Sequence, residues 1–213
     1  MSESPFVVLD DVSVRLGDEV LLAPVGLALE RGRTLAVAGR NGIGKTTLLR
    51  VLAGQLRPST GTALVAGQPV DERRAAFRAR VAALLGAPPL ARNLTLREHL
   101  LLVATSWGAS LPEAEQRADA LLARLEIDRL APRFPHEVSS GQAQLSSLAL
   151  TLARPSELLL LDEPEQRLDG HRLGLVSGLL DEVAAEGRTV VLASHSTALI
   201  EAVATDRLEL REP

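Results

Sequence analysis

Two stretches of this 213-residue sequence place reactive groups at spacings that carry chemistry. The first is Gly39-Arg40-Asn41-Gly42-Ile43-Gly44-Lys45-Thr46-Thr47, which fits the pattern G-x-x-x-x-G-K-[ST]. Its glycines allow backbone conformations closed to other residues and let main-chain N–H groups come close to phosphate oxygens. A helix beginning near Lys45 adds about half a positive charge at its N-terminus. Lys45 can then reach the β- and γ-phosphates of a nucleoside triphosphate, and the Thr46 hydroxyl is a hard-oxygen ligand for Mg²⁺. Thr47 offers a further hydroxyl or N–H near the α-phosphate. Lys45 is also the single lysine among 23 cationic side chains, the rest being arginine. In a chain that otherwise uses arginine throughout, the one lysine stands where such a loop needs it.

The second stretch is Leu158-Leu159-Leu160-Leu161-Asp162-Glu163, four apolar residues ending in two carboxylates. An Asp at the end of a buried strand beside a phosphate loop can hold Mg²⁺, usually through water. Its neighbour Glu163 points elsewhere and can polarise an attacking water as a general base. Taken alone, this pattern is most often just a strand meeting its loop. Beside residues 39–47 it reads as the second half of a nucleotide site.

The elements around these stretches suit that reading. Residues 6–9, 12–16, 20–22 and 25–29 form a β-rich opening, with turns at 17–19 and 30–33. Residues 34–38 are a short apolar strand of the buried kind, followed at once by the glycine loop and then by a helical pattern over 46–53 that Gly54 ends. Further strands are expected at 62–66, 81–85, 158–161, 189–193 and 207–210. Residues 71–80 are a charged helical segment whose arginines read as a solvated face. From Thr95 to about Leu130 the periodicity is helical, with starts at Thr95 and near Pro112-Glu113, within a stretch, 87–137, that reads as a helical insertion. Helices are also expected at 143–153 and 173–185. This is an α/β pattern carrying an all-helical insertion.

Composition removes several classes of function. The formal net charge of −4 argues against a nucleic-acid binder that relies on phosphate attraction. Cysteine is absent, so there is no disulfide framework and no thiolate metal site. No apolar run approaches the ~18–20 residues needed to cross a bilayer. The first residues do not resemble a secretory signal, because Asp10-Asp11 closely follows a brief apolar stretch.

Across nearly its whole length the sequence resembles the ATP-binding cassette family. The resemblance rests on ordered motifs: GRNGIGKTT at 39–47, VSSGQ at 138–142, LLLLDEP at 158–164, RLD at 167–169 and ASHS at 193–196. It implies a single domain over 1–213 with an α/β fold. In that fold a P-loop NTPase core, a mixed sheet flanked by helices with an N-terminal antiparallel β subdomain, spans 1–86 and 138–213, and an α-helical subdomain is inserted at 87–137. It implies ATP and Mg²⁺ as ligands. It also implies that Ser139, Gly141 and Gln142 close on ATP held by a second cassette, that Asp169 contacts the dimer partner, and that His195 touches the γ-phosphate and orients water. A separate membrane-spanning permease is the implied partner, holding the chain at the cytoplasmic face of the membrane. The permease would contact the Gly86 loop and residues 87–137, where Trp107 is either part of the contact or a core residue. The ending after strand 207–210 resembles compact exporter-type cassettes.

Three positions depart from the family pattern. Gly86 stands where the family usually has Gln, and has no side chain to give Mg²⁺ an oxygen. Ser140 replaces the first glycine of the second motif. Leu16 stands where an aromatic stacks on adenine; a stack of that kind contributes ~1–3 kcal/mol. In addition, Glu165 and Gln166 replace small residues, with no reason visible in the sequence. Two alternatives remain open: a degenerate, mainly ATP-binding regulatory cassette paired with a more active one, and a cytosolic cassette ATPase unconnected with transport.

Overall fold

The computed structural model describes residues 4–211. Met1–Glu3 and Glu212–Pro213, which the sequence reading included in the domain, lie outside the described residues. The chain opens with a hairpin of β1 (Val7–Leu16) and β2 (Glu19–Leu29), joined at Gly17. With β4 (Thr60–Val65) and β5 (Gln68–Pro69) these form an antiparallel sheet in the order β2-β1-β4-β5. The sequence pattern suggested two separate segments where β1 is continuous. Asp11 takes a positive φ of 49° and the register shifts there, so a bulge interrupts the alternation without ending the strand.

A second sheet is wholly parallel. It comprises β3 (Thr34–Ala38), β6 (Val81–Leu84), β7 (Leu158–Asp162), β8 (Thr189–Ala193) and β9 (Asp206–Glu209), in the order β6-β7-β8-β3-β9. The two strand directions are thus segregated into two sheets.

Successive side chains of the parallel strands alternate between two apolar layers. Leu158, Leu160, Val191, Ala193, Leu35 and Val37 join a core shared with the antiparallel sheet and α1 (Lys45–Leu52). Leu159, Leu161, Val190 and Leu192 face a second core. That core includes α3 (Leu96–Ser106), α4 (Leu111–Arg124), α5 (Ser140–Leu152) and α6 (Gly170–Ala185). Burial on both faces explains why β7 reads as an unbroken leucine run rather than an alternating one. The short α2 (Ala75–Arg80) precedes β6 directly, and α7 (Thr197–Val203) lies between β8 and β9. Seven residues are too few for a clear helical period, and the sequence pattern did not show α7.

Residues 87–137 contain α3, α4 and two 3₁₀ turns, Asp128–Leu130 and Pro135–Glu137. Thr95 caps α3: Glu98 N–H donates to its hydroxyl at 3.2 Å, and Thr95 N–H donates to the Glu98 carboxylate at 2.7 Å. Ser110 N–H likewise donates to Glu113 at 2.8 Å. Helix α4 therefore starts at Leu111 rather than at Pro112-Glu113. These capping hydrogen bonds hold both carboxyls below the usual glutamate range, the Thr95 N–H acting most on Glu98 and the Ser110 hydroxyl on Glu113. Trp107 sits at the C-terminal end of α3, half-buried, with the Arg154 guanidinium 3.8 Å above its ring. It is neither a full core residue nor a free surface one. Burial pushes Arg154 down to about 10, still a cation at neutral pH.

Leu160 is fully buried in the middle of the sheet. Leu160→Ala should cost about 2–5 kcal/mol in denaturant unfolding; a loss near zero would mean that β7 is not an interior strand of a packed core.

Candidate functional site

Ala193, the last residue of β8, pairs with Asp162 on one side and Val37 on the other. This register sets the ends of β7, β8 and β3 level, so the segments that follow them leave the sheet along one edge. In open parallel sheets the crevice outside the strand C-termini is the usual place for ligands. Here the cleft has a volume of about 320 Å³, and Lys45, Thr46, Asp162, Glu163 and His195 line it together with Asn41, Gly42, Gly44 and Thr47.

The glycine loop runs from β3 into α1. Gly44 is the N-cap of α1, with φ 106°, and a Cβ there would stand 2.5 Å from the carbonyl oxygen of Leu21. Only glycine fits both the backbone and the space. Helices α3, α5, α6 and α7 have side-chain caps from Thr95, Ser139, Asp169 and Ser196, whereas α1, like α2 and α4, has no side-chain cap bond. The first-turn N–H groups of α1 thus face the cleft without a side-chain acceptor, which suits an anionic ligand. Lys45 is only 7% exposed, and its Nζ donates to the carbonyls of Gly39 at 2.7 Å and Arg40 at 2.9 Å. The loop therefore holds the ammonium at its own mouth.

Alternation along β7 places Asp162 on the same side as Leu158 and Leu160, the side of α1. There Thr46 Oγ1 donates to Asp162 Oδ2 at 2.7 Å. Two hard oxygens this close, beside the phosphate cradle, fit Mg²⁺ held partly by protein and partly by phosphate and water. Glu163 turns away from its neighbour through a left-handed backbone, φ 48°, with its N–H bound to Ala193 O at 2.8 Å. Its Oε1 then lies 3.5 Å from His195 Nε2, and its Oε2 accepts from Gln166 Nε2 at 3.0 Å. A strained non-glycine residue at this turn aims the carboxylate across the cleft at the imidazole.

The residues of the second motif lie outside this cleft. Ser139 and Gln142 form a reciprocal cap on α5, with Gln142 N–H donating to Ser139 Oγ at 3.3 Å and Ser139 N–H to Gln142 Oε1 at 2.8 Å. Helix α5 consequently starts at Ser140, three residues before the apolar pattern becomes visible. Asp169 caps α6 by accepting from Arg172 N–H at 2.9 Å. A Cβ on Gly141 would stand 2.7 Å from the carbonyl oxygen of Arg167, so this glycine admits the loop that leads to Asp169. Leu16 is 69% exposed at the end of β1. It does not line the cleft, whose wall on that side is Glu19, Val20 and Leu21. Gly86 follows β6 with φ 104°, also away from the cleft lining.

Two residues of this region were not recognised in the sequence. Gln144 Nε2 donates to the carbonyls of Glu163 and Pro164, both at 3.2 Å, bracing the turn from one helical turn inside α5. Glu165 reaches the loop that carries His195. Gln166 and Glu165, unexplained by sequence, are thus contacts of the two groups at the cleft's far wall.

Gly141→Ala forces a methyl against a backbone oxygen and should destabilise the chain by about 1–3 kcal/mol, read by denaturant unfolding. Wild-type stability in that variant would show that the α5 start and the 167–169 loop are not in close contact.

Comparison with known proteins agrees with this geometry. A family model described as ABC transporter matches residues 22–166. The chain is 36% identical over 196 residues to the cytochrome c biogenesis ATP-binding export protein CcmA of Paramagnetospirillum magneticum, covering 92% of this chain and 90% of that protein. It is 32% identical over 194 residues to the macrolide export ATP-binding/permease protein MacB of Campylobacter jejuni, covering 89% of this chain but only 30% of that longer protein. A solved structure described as the ATP-binding subunit of an ABC transporter superposes with a TM-score of 0.87 at 27% identity, covering 97% of this chain and 86% of the other. The chain belongs to the ABC transporter family, as one of its ATP-binding cassettes.

Proposed function

We propose that this chain pairs with a second cassette around ATP and drives a membrane-spanning permease carried on a separate chain. The observation that carries the reading is the convergence of Lys45, the Thr46–Asp162 pair and the Glu163–His195 pair on one cleft. None of the described helices is long and apolar enough to cross a membrane, and in this proposal the transport path lies in the partner. Relatives named as export proteins favour export.

In this mechanism ATP lies with its phosphates over the start of α1. The first-turn N–H groups bind phosphate oxygens, and Lys45 exchanges its two loop carbonyls for the β- and γ-phosphates. Thr46 and Asp162 would hold Mg²⁺, which when bound neutralises charge on the β- and γ-phosphates. Glu163 accepts a proton from the attacking water, and His195 orients that water and donates to the γ-phosphate. Ser139, Gly141 and Gln142 act on the ATP of the opposite cassette. The capped start of α5 presents its dipole and the Ser139 hydroxyl as a second anion grip. Asp169 contacts the partner cassette beside it. Leu16, exposed near the cleft, gives apolar contact to the adenine. Binding energy thus closes the dimer, and loss of the γ-phosphate reopens it.

The permease would dock on the Gly86 loop and residues 87–137, where Leu102 and Leu111 are among the few exposed large apolar side chains. Because Gly86 has no side chain, contact there is made by backbone and by the neighbouring helices. A second reading, a regulatory cassette with low turnover, is motivated by Gly86 and Ser140. The facing Glu163 and His195 weigh against it.

Lys45→Ala should lower Mg·ATP affinity by about 10–100-fold, read by equilibrium nucleotide binding. Glu163→Gln should retain ATP binding and lose turnover by at least about 100-fold, accumulating a closed, ATP-loaded dimer on size-exclusion chromatography. Unchanged turnover of the assembled complex carrying Glu163→Gln would remove Glu163 from the mechanism and favour the regulatory reading.

A further inference from the structure

The segment after β7 carries a carboxylate that the hydrolysis scheme does not use. Glu165 Oε1 accepts three hydrogen bonds from the loop after β8: from Ser194 Oγ at 2.5 Å, His195 N–H at 2.9 Å and Ser196 N–H at 3.2 Å. Its second oxygen, Oε2, is shielded from solvent and has no hydrogen-bond partner. Ser194 is itself buried, 3% exposed, and its Oγ also accepts from Ser196 N–H at 3.0 Å. One carboxylate oxygen therefore gathers donors from three consecutive residues, with His195 in the middle.

We infer that Glu165 is a positioning residue that fastens the His195 loop to the loop running from Glu163 to Asp169. The inference rests on the proposed role of His195 and adds to it a link between hydrolysis and dimer contact. Two N–H groups in succession, both just ahead of α7, would otherwise need water or the Ser194 hydroxyl as acceptor. A charged acceptor makes these bonds shorter and stronger than a neutral one. Fixing the backbone of His195 fixes where its imidazole can reach, and the ring stands 3.5 Å from Glu163 Oε1.

The same segment is internally braced. Gln166 N–H donates to Glu163 O at 3.0 Å and Leu168 N–H to Glu165 O at 3.1 Å. A displacement of Asp169 by a partner cassette is thereby passed through Glu165 to the imidazole. The small residues that usually follow the Asp-Glu-Pro run could not span this gap. The departure from the family pattern is thus a device for coupling the two loops.

The test compares Glu165→Ala, Glu165→Gln, His195→Ala and the Glu165→Ala/His195→Ala double variant, each in the assembly that turns over ATP. Glu165→Ala should speed amide hydrogen exchange in peptides covering residues 194–196 and lower kcat by about 10–100-fold, with KM for ATP within about twofold. Glu165→Gln keeps a carbonyl oxygen in place and should recover most of the lost kcat. In the His195→Ala background the alanine at position 165 should cost less than about twofold more, because the carboxylate acts through the imidazole. Unchanged exchange at 194–196 in Glu165→Ala overturns the inference, as does a full multiplicative loss in the double variant. Normal turnover of His195→Ala alone overturns instead the catalytic reading of the site, and the exchange result then stands independently for the clamp. Glu165→Gln guards against misfolding of the alanine variant: if it folds and yet matches Glu165→Ala in kcat, the acceptor role is wrong.

Discussion

The site depends on a row of hydrogen bonds. Ala193 pairs sideways with Val37 and with Asp162, and this register brings the ends of three strands level. A shift by one residue would turn Asp162 toward the other layer, away from Thr46, and would carry Glu163 out of line with His195. The leucine and valine side chains of β7 and β8 enforce the register, because each alternate residue is buried in one of two separate apolar layers. The geometry of the cleft is therefore a by-product of packing on both faces of a parallel sheet. The polar residues begin one or two positions beyond the last buried one.

The sequence made the phosphate cradle and the strands behind it legible for a clear physical reason. The glycine pattern, the single lysine and the leucine run are local signals, each completed within nine residues. Strands β3 and β8 were readable to their end residues because burial on both faces leaves no polar interruption. What escaped were features made by contacts between distant segments. The bulge at Asp11 breaks an alternation that the sheet as a whole continues. Helix α5 starts in a polar run, Ser139 to Gln142, whose side chains satisfy the backbone rather than the core. Glu165 looked like an arbitrary replacement, because the three donors that explain it lie some thirty residues further on.

The helix N-termini differ in how their first turns are satisfied, and α1 and α5 show the contrast that matters for the cleft. Four helices close their first turn with their own Ser, Thr or Asp side chains. At α1 a glycine occupies the cap and the donors are left for an incoming anion. The start of α5 combines both conditions: it is capped by Ser139, yet Ser139 is exposed and at the helix terminus. A hydroxyl there satisfies one backbone donor while its own proton stays available to a second acceptor. In the proposed dimer, this second capacity is what would let an ordinary cap meet a phosphate group held by another subunit.

The stacking of Arg154 on Trp107 gives the chain an unplanned optical property. There is one tryptophan and no tyrosine in the sequence, so near-ultraviolet emission comes from a single indole at the junction of α3 with the segment entering β7. A guanidinium lying on that ring ties the signal to the packing of the end of α3 against the segment that enters β7. The protein thus carries one intrinsic fluorophore, whose environment is set by its contact with Arg154.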